Sequence, residues 1–541
     1  MPTLNEKETE STMKTINRLT ILLTLLTFTL PAATPPHKNV ILMIMDGTNS
    51  DILTLSRWYR GTDLKLDTIL RGGVRTYSAQ SAITDSAAAG SAMATGVKTK
   101  ADYIGMNADR RPVLTVLEGA KLSGYKTGIV STSPIQHATP AAFTSHVMNR
   151  DEFGDIGEQQ VYQGLDVVLG GGGAWLKPQT KEPTKDDDGM LKTKQVSRED
   201  GENLFKEIHS SGYDLVLKRD GLLRGTTSPK LWGVFADEDI SYELDRPQLN
   251  PDEPSLAEMT RAAIDRLSQG DKGFFLMVEG SKVDWAAHKN DPVGMISEVL
   301  SFDDAVSEAL DFARKDGNTM VVAVTDHGNS GLTLGNHGTN GDYKSLPADR
   351  FIKPLKKARL TVKGATSQLK KDRSNLKEVL SSYGLGELSE KEFGTMEAAK
   401  SVDDLENEMV KLMAKRANLG FTTHGHTGED VFLYSYGPGK PVGLIENTDI
   451  PRVISAFMGF SLRTGPFASW YVDGVNYYRD RGYEVTVEGR TSKNPVMVAK
   501  RDDEVLRFPE NKDFYWRNDE KVGLKNVNVY DGETFYVHIE E

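Results

Sequence analysis

From Asn39 onward the chain alternates short apolar runs with segments whose apolar residues return every three or four positions. The runs at 40–45, 126–131, 166–169, 274–278, 320–325 and 431–436 predict strands. The segments at 86–94, 113–123, 255–267 and 296–315 predict helices. Continuous apolar strands separated by helices imply an α/β fold with a central, mostly parallel sheet flanked by helices on both faces. In such sheets ligands bind just beyond the carboxyl ends of the strands. Asp46, Glu279 and Asp326-His327 each directly follow a predicted strand.

The pattern changes twice. Residues 342–418 are rich in Lys and Glu with helical spacing and no strong strand, which predicts a helical insertion within a catalytic domain spanning 38–463. After Gly465, the runs 470–478, 483–489, 496–505 and 526–538 predict short strands joined by polar turns. They form a small β-rich C-terminal domain, 466–541, of ordinary size for such a unit. At the other end, Met13-Lys14 and Arg18 precede an apolar run at 19–30 and the small residues Pro31-Ala32-Ala33. The apolar run is too short to span a bilayer, so residues 1–33 read as a signal peptide, and a secreted or extracytoplasmic protein without a membrane span is expected.

Composition narrows the chemistry. A net charge of −12 over 541 residues argues against a nucleic-acid-binding face. It leaves an anionic substrate open, because bound metal ions can supply local positive charge. The chain has no cysteine. Disulfides, thiolate metal sites and a cysteine nucleophile are excluded, so any transition-metal site must use histidine and carboxylate.

Ser86, in Thr84-Asp85-Ser86-Ala87-Ala88, opens an Ala-rich helix. One reading makes it an N-cap. The other makes it a nucleophile at the positive end of a helix, where backbone N–H groups suit a phosphate. That reading requires activation, and no G-x-S-x-G elbow supplies it; a metal could. Asp284 and His288 are four apart and share one helix face, as a metal-binding pair or a surface ion pair would. Asp326 and His327 could reach one ion only where the chain leaves its strand. Asp46 precedes Gly47, a turn expected to expose the carboxylate at the sheet edge. His424 and His426 form an H-x-H pair. Oxygen and imidazole ligands at four strand ends, without thiolates, fit zinc or magnesium hydrolytic chemistry. His146 and His337 lack motif support and read as ordinary hydrogen-bonded histidines, and Gly170 to Gly173 as a backbone turn.

These segments together resemble the alkaline phosphatase family in its Bacillus-like form. The resemblance rests on Thr84-Asp85-Ser86-Ala87-Ala88 with Ala94-Thr95-Gly96-Val97-Lys98-Thr99, and on Ile135-Gln136-His137-Ala138-Thr139-Pro140-Ala141-Ala142. It continues through Val278-Glu279-Gly280, Asp284-Trp285-Ala286-Ala287-His288, Thr325-Asp326-His327 and His426-Thr427-Gly428-Glu429. It implies metal-dependent hydrolysis of phosphate monoesters through a phosphoserine on Ser86. Two zinc ions and one magnesium ion are implied: Asp284, His288 and His426 around one zinc, Asp46, Asp326 and His327 around the other, and Asp46, Thr139 and Glu279 around the magnesium. Arg150 would clamp the phosphate, its planar fork taking two oxygens at once. His137 and Trp285 match the family's His/Trp variant and would tune the magnesium and phosphate positions.

Small phosphorylated molecules are the implied substrates, and homodimers are common in the family. A superfamily phosphodiesterase or phosphonate hydrolase is the alternative activity; a non-catalytic secreted binding protein is a third reading. Three departures stand out, one being a stretch between Asp46 and Ser86 that is shorter than usual and would reshape the mouth of the site. Thr48-Asn49 replaces the usual Met-Gly, and Asn is expected to take up the left-handed backbone there. His424 lies two residues before the expected ligand His426 and could compete with it.

Overall fold

Strand β1 (Asn39–Met45) is buried at every residue. Its side chains alternate between two cores: Ile41, Met43 and Met45 enter one, and Val40, Leu42 and Ile44 the other. Each such side chain contributes roughly 1.5–3 kcal/mol when fully buried, so a central strand is apolar on both faces.

In the computed structural model, which describes residues 38–178, 198, 200–225 and 227–539, β1 sits inside a ten-stranded sheet. The leader read at 1–33 lies outside the described residues. The other strands are Leu70–Arg75 (β2), Lys126–Pro134 (β3), Val167–Gly171 (β4), Tyr213–Val216 (β5), Lys230–Val234 (β6), Phe274–Gly280 (β7), Thr319–Val324 (β8), Val431–Tyr436 (β9) and Gly443–Glu446 (β10). Their order is β10-β2-β9-β8-β1-β7-β3-β4-β6-β5. Neighbours run parallel except at β9, which is antiparallel to both β8 and β2. The mostly parallel sheet predicted from the apolar runs is therefore present. β2, β5, β6 and β10 were not predicted. β2 is interrupted by Gly72-Gly73, β5 and β6 are short, and β5 and β10 are the two partly exposed edges.

Helices cover both faces. Those that position the site are Ser50–Arg60 (α1), Ser86–Thr95 (α2), Val116–Leu122 (α3), Ala138–Thr144 (α4), Phe153–Tyr162 (α5), Leu256–Leu267 (α6), Lys282–His288 (α7) and Pro292–Asp316 (α8). Leu53 of α1, Met259 of α6 and Phe302 of α8 fill one core. Met93 of α2, Val116 of α3 and Phe143 of α4 fill the other. Residues 342–418 fold as the helices Asp349–Leu355, Val362–Thr366, Leu376–Ser382, Glu390–Glu397 and Val402–Arg416. Leu355, Tyr383, Met409 and Met413 join them to the first core.

The C-terminal region is antiparallel and β-rich. Glu484–Glu488, Val496–Arg501, Glu504–Pro509, Phe514–Arg517 and Glu520–Gly523 form a five-stranded meander, and Tyr471–Asp473, Phe535–His538 and Val529–Tyr530 a three-stranded sheet. The strand expected at 470–478 stops at Asp473. That residue instead caps the helix Gly474–Arg479 by accepting the Asn476 N–H. The run at 496–505 divides at Asp502, whose φ of 52° makes a turn between two strands. Among the described residues no helix is long and apolar enough to cross a membrane.

Candidate active site

The sheet order brings the carboxyl ends of β8, β1, β7 and β3 side by side. Asp326 and His327 follow β8, Asp46 follows β1, Glu279 lies near the end of β7, and Ser131 and Ser133 lie near the end of β3. Residues far apart in sequence therefore meet on one rim. Asp46 departs from expectation: it is not exposed at the sheet edge but completely buried, because β1 is central and its end is roofed. Burial, then the charges of Asp326, Asp284 and Glu279, push its carboxyl well above the usual range. Gly47 carries the left-handed backbone of the following turn, with φ of +67°. Asn49, expected to take that conformation, is extended at φ −89°. It caps α1 by accepting the Ile52 N–H at 3.1 Å and donates to the Asn329 carbonyl at 3.0 Å.

Ser86 is the first residue of α2 but not its cap. Asp85 fills that role, its Oδ1 accepting the Ala88 N–H at 3.0 Å. The Ser86 hydroxyl is thereby left free, and its Oγ lies 3.1 Å from His327 Nε2. His327 turns Nδ1 to the Gly328 carbonyl at 3.2 Å, which leaves Nε2 directed at Ser86 and the carboxylates. That Nε2 is 3.2 Å from Asp326 Oδ2 and 3.5 Å from Asp46 Oδ1.

The second histidine pair has the same design. His288 Nδ1 donates to the His424 carbonyl at 2.6 Å, and His426 Nδ1 to the Thr84 carbonyl at 2.8 Å. Both Nε2 lone pairs consequently face Asp284, at 3.3 Å and 3.7 Å. His424 does not compete with His426. It supplies the carbonyl that orients His288, while its ring meets Asn290 and the His288 carbonyl. The His426 ring stacks on His327 at 3.6 Å, joining the two groups.

This donor set fits metal ions. The ligand atoms of Asp284, His288 and His426 lie within 4.8 Å of one another, as do those of Asp46, Asp284 and His327. Asp284 thus reaches both groups. Both Asp46 oxygens, Asp326 Oδ2, Glu279 Oε1 and Thr139 Oγ1 are buried without a hydrogen-bond partner. Such atoms are costly unless something electropositive meets them. Glu279 is further fixed by Ser131, whose hydroxyl donates to Oε2 at 2.6 Å. Its carboxyl is pushed up to about 7, chiefly by burial.

Arg150 lies at the rim, its side chain 21% exposed. Its Nη1 is 3.5 Å from Asp85 Oδ2, and its Nη2 donates to His137 Nε2 at 3.2 Å. Burial and the adjacent guanidinium push the His137 imidazole down to about 3, keeping it a neutral acceptor. Trp285, on α7, meets the His137 ring edge-on at 5.5 Å. Sequence reasoning missed the roles of Asp85, Ser131 and Asn329; Asn329 donates to Asp284 Oδ1 at 2.6 Å. Asp85 could have been found, since an acidic residue directly before a helix marks a cap.

The alkaline phosphatase family model matches residues 37–460. Alkaline phosphatase 4 of Bacillus subtilis is 36% identical over 438 residues, 77% of this chain and 88% of that protein. The Thermus thermophilus alkaline phosphatase structure superposes with a TM-score of 0.69 at 27% identity, covering 79% of this chain and 92% of that one. A variant of the enzyme from the Antarctic bacterium TAB5, described with Mg bound in its M3 site, is 25% identical with a TM-score of 0.57, covering 79% of this chain and 99% of that one. The chain belongs to the alkaline phosphatase family, and its reaction is the metal-dependent hydrolysis of phosphate monoesters.

Proposed function

We propose that the chain dephosphorylates small phosphomonoesters through a phosphoserine on Ser86, using two zinc ions and one magnesium ion. Asp284, His288 and His426 would hold one zinc, Asp46, Asp326 and His327 the other, and Asp46, Thr139 and Glu279 the magnesium. When bound, these ions supply Lewis acidity and positive charge to the entering and leaving oxygens.

The residues of the chain do the rest. Arg150 takes two phosphate oxygens with its guanidinium, oriented by Asp85 and His137. The start of α2 presents its backbone dipole to the same phosphate. Ser86 Oγ attacks phosphorus, the Oγ–P bond forms, and the bond from phosphorus to the alcohol oxygen breaks, the proton lost from the Ser86 hydroxyl being balanced by the one that the released alcohol takes up. Water then cleaves Oγ–P, releasing inorganic phosphate and returning a proton to Ser86. Asn329 and Ser131 hold Asp284 and Glu279 in place throughout.

One observation carries the reading: Ser86 Oγ lies 3.1 Å from His327 Nε2, so the nucleophile and a ligand atom are neighbours. Metal analysis of the purified protein, paired with p-nitrophenyl phosphate turnover before and after chelation, tests it. Two zinc and one magnesium per chain, with activity lost and then restored on their return, is the expected result. Full turnover by metal-free protein contradicts the proposal. The basic and apolar composition of the leader supports an extracytoplasmic location, and the family supports a homodimer, which light scattering of the loaded protein tests. The net charge of −12 supports small substrates over nucleic acid.

A further inference from the structure

Away from the rim, Glu118 of α3 is a buried carboxylate whose donors come from two regions of the molecule. Its Oε2 accepts the Thr115 N–H at 2.8 Å, completing a capping box. Its Oε1 accepts from four side chains. His146 Nε2 at 2.9 Å and Gln163 Nε2 at 2.7 Å belong to the catalytic core. Asn526 Nδ2 at 2.9 Å and the Tyr471 hydroxyl at 3.2 Å belong to the C-terminal β-region.

His146 is held from every side. Its Nδ1 lies 2.9 Å from the Gly105 carbonyl, so both ring nitrogens face acceptors and both carry protons. Burial opposes both charges, yet the pair and its donors hold Glu118 at about 2 and raise the His146 imidazole. Tyr471 meets the His146 ring edge-on at 5.0 Å. The backbone is bracketed as well: Gln159 Oε1 accepts the His146 N–H at 2.7 Å, and Gln159 Nε2 donates to the His146 carbonyl at 3.0 Å. That same Nε2 donates to Asn511 Oδ1 of the C-terminal region at 2.9 Å. Met148 packs against an apolar cluster made of Met106 together with Val527, Val529 and Tyr536.

His146 stands four residues before Arg150, and the segment between them includes Met148. The C-terminal region therefore touches both the side-chain and the backbone supports of the strip that delivers the guanidinium. At its tip Arg150 has a 3.5 Å contact to Asp85 and a 3.2 Å bond to His137, so the placement of its backbone also decides where the guanidinium points. We propose that the C-terminal β-region sets the position of the Arg150 guanidinium, with Tyr471, Asn526 and Asn511 as positioning residues acting through Glu118, Gln159 and His146. The inference rests on Arg150 being the phosphate clamp.

A double-mutant cycle on the full-length, metal-loaded enzyme tests it, with the inhibition constant of inorganic phosphate as the readout. Asn526→Ala removes one donor to Glu118. Tyr471→Phe removes another while keeping the ring on His146, so the packing survives. Each is made with and without Arg150→Ala, and folding is checked by thermal melting. The expected result is a roughly 3- to 10-fold weakening of phosphate binding when Arg150 is present, since small misplacements of a clamp are felt strongly. When Arg150 is alanine, the same substitutions should change phosphate binding less than about twofold. Equal effects in both backgrounds, or no effect in folded variants, overturn the proposal. If Arg150→Ala alone leaves phosphate binding unchanged, the clamp assignment itself is wrong, a distinct outcome that removes the basis of the inference.

Discussion

His288 and His426 face each other Nε2 to Nε2 at 3.2 Å, each with Nδ1 tied to a backbone carbonyl. Two imidazoles fixed in this tautomer turn lone pairs toward one point beside Asp284, an arrangement made for a cation. Replacing either histidine with alanine should remove one zinc per chain. Turnover should fall by about 100-fold or more, because a Lewis acid contributes several kcal/mol. Elemental analysis of each variant measures the loss, and retained zinc with full turnover counts against the assignment.

Gly47 explains why the turn after β1 tolerates no side chain. A Cβ there would lie 2.4 Å from Asp284 Oδ1 and 2.7 Å from its Cα, on a backbone with φ of +67°. Gly47→Ala should displace Asp284 and weaken metal retention by at least about tenfold, with circular dichroism unchanged. Titration with a competing chelator measures it. Unaltered affinity would mean that the turn relaxes freely.

Asp85 has two separable duties. Its Oδ1 caps α2, and its Oδ2 lies near Arg150 while accepting the Asp102 N–H at 3.0 Å. Asn caps a helix as well as Asp does but has no second oxygen for the Asp102 N–H, so Asp85→Asn should lose only that bond's share of stability while raising KM several-fold through a less anchored Arg150. Asp85→Ala should lose about 1 kcal/mol besides. Denaturation and steady-state kinetics on both variants separate the duties. Identical behaviour of the two would argue that the cap carries no weight.

Glu298, on α8, gives the clearest pH signature away from the site. Burial pushes its carboxyl up to about 8, against the pull of Lys282. The folded state therefore binds this proton more tightly than the unfolded chain, whose value is near 4.5. The stability it contributes is complete below that value and is lost as pH rises toward about 8. Glu298→Gln stays neutral, so its stability relative to the parent should improve between pH 5 and pH 9 by on the order of a few kcal/mol. Chemical denaturation at both pH values measures the change, and a pH-independent difference contradicts it.

Central strands were legible because burial on two faces leaves an uninterrupted apolar run, as in β1 and β8. Edge strands such as β10 need only one apolar side and carry no such run. The candidate ligand residues were legible because they fall in motifs, with Asp46, Glu279, Asp326 and His327 at strand ends and Asp284 and His288 one helical turn apart. Their burial was not: Asp46 looks like a turn residue until the roof over β1 is in place. The pairing of Glu118 with Tyr471 and Asn526 spans more than 350 positions, and no local pattern announces it. Asp502 shows the same limit on a smaller scale, since a single left-handed residue splits one apparent strand into two.

The central claim is that Ser86 attacks phosphorus. Enzyme incubated with radiolabelled inorganic phosphate, quenched at low pH and digested, should carry label on the peptide containing Ser86, and Ser86→Ala should carry none while keeping its metals. Label on another residue, or full turnover by the folded Ser86→Ala enzyme, would contradict the account.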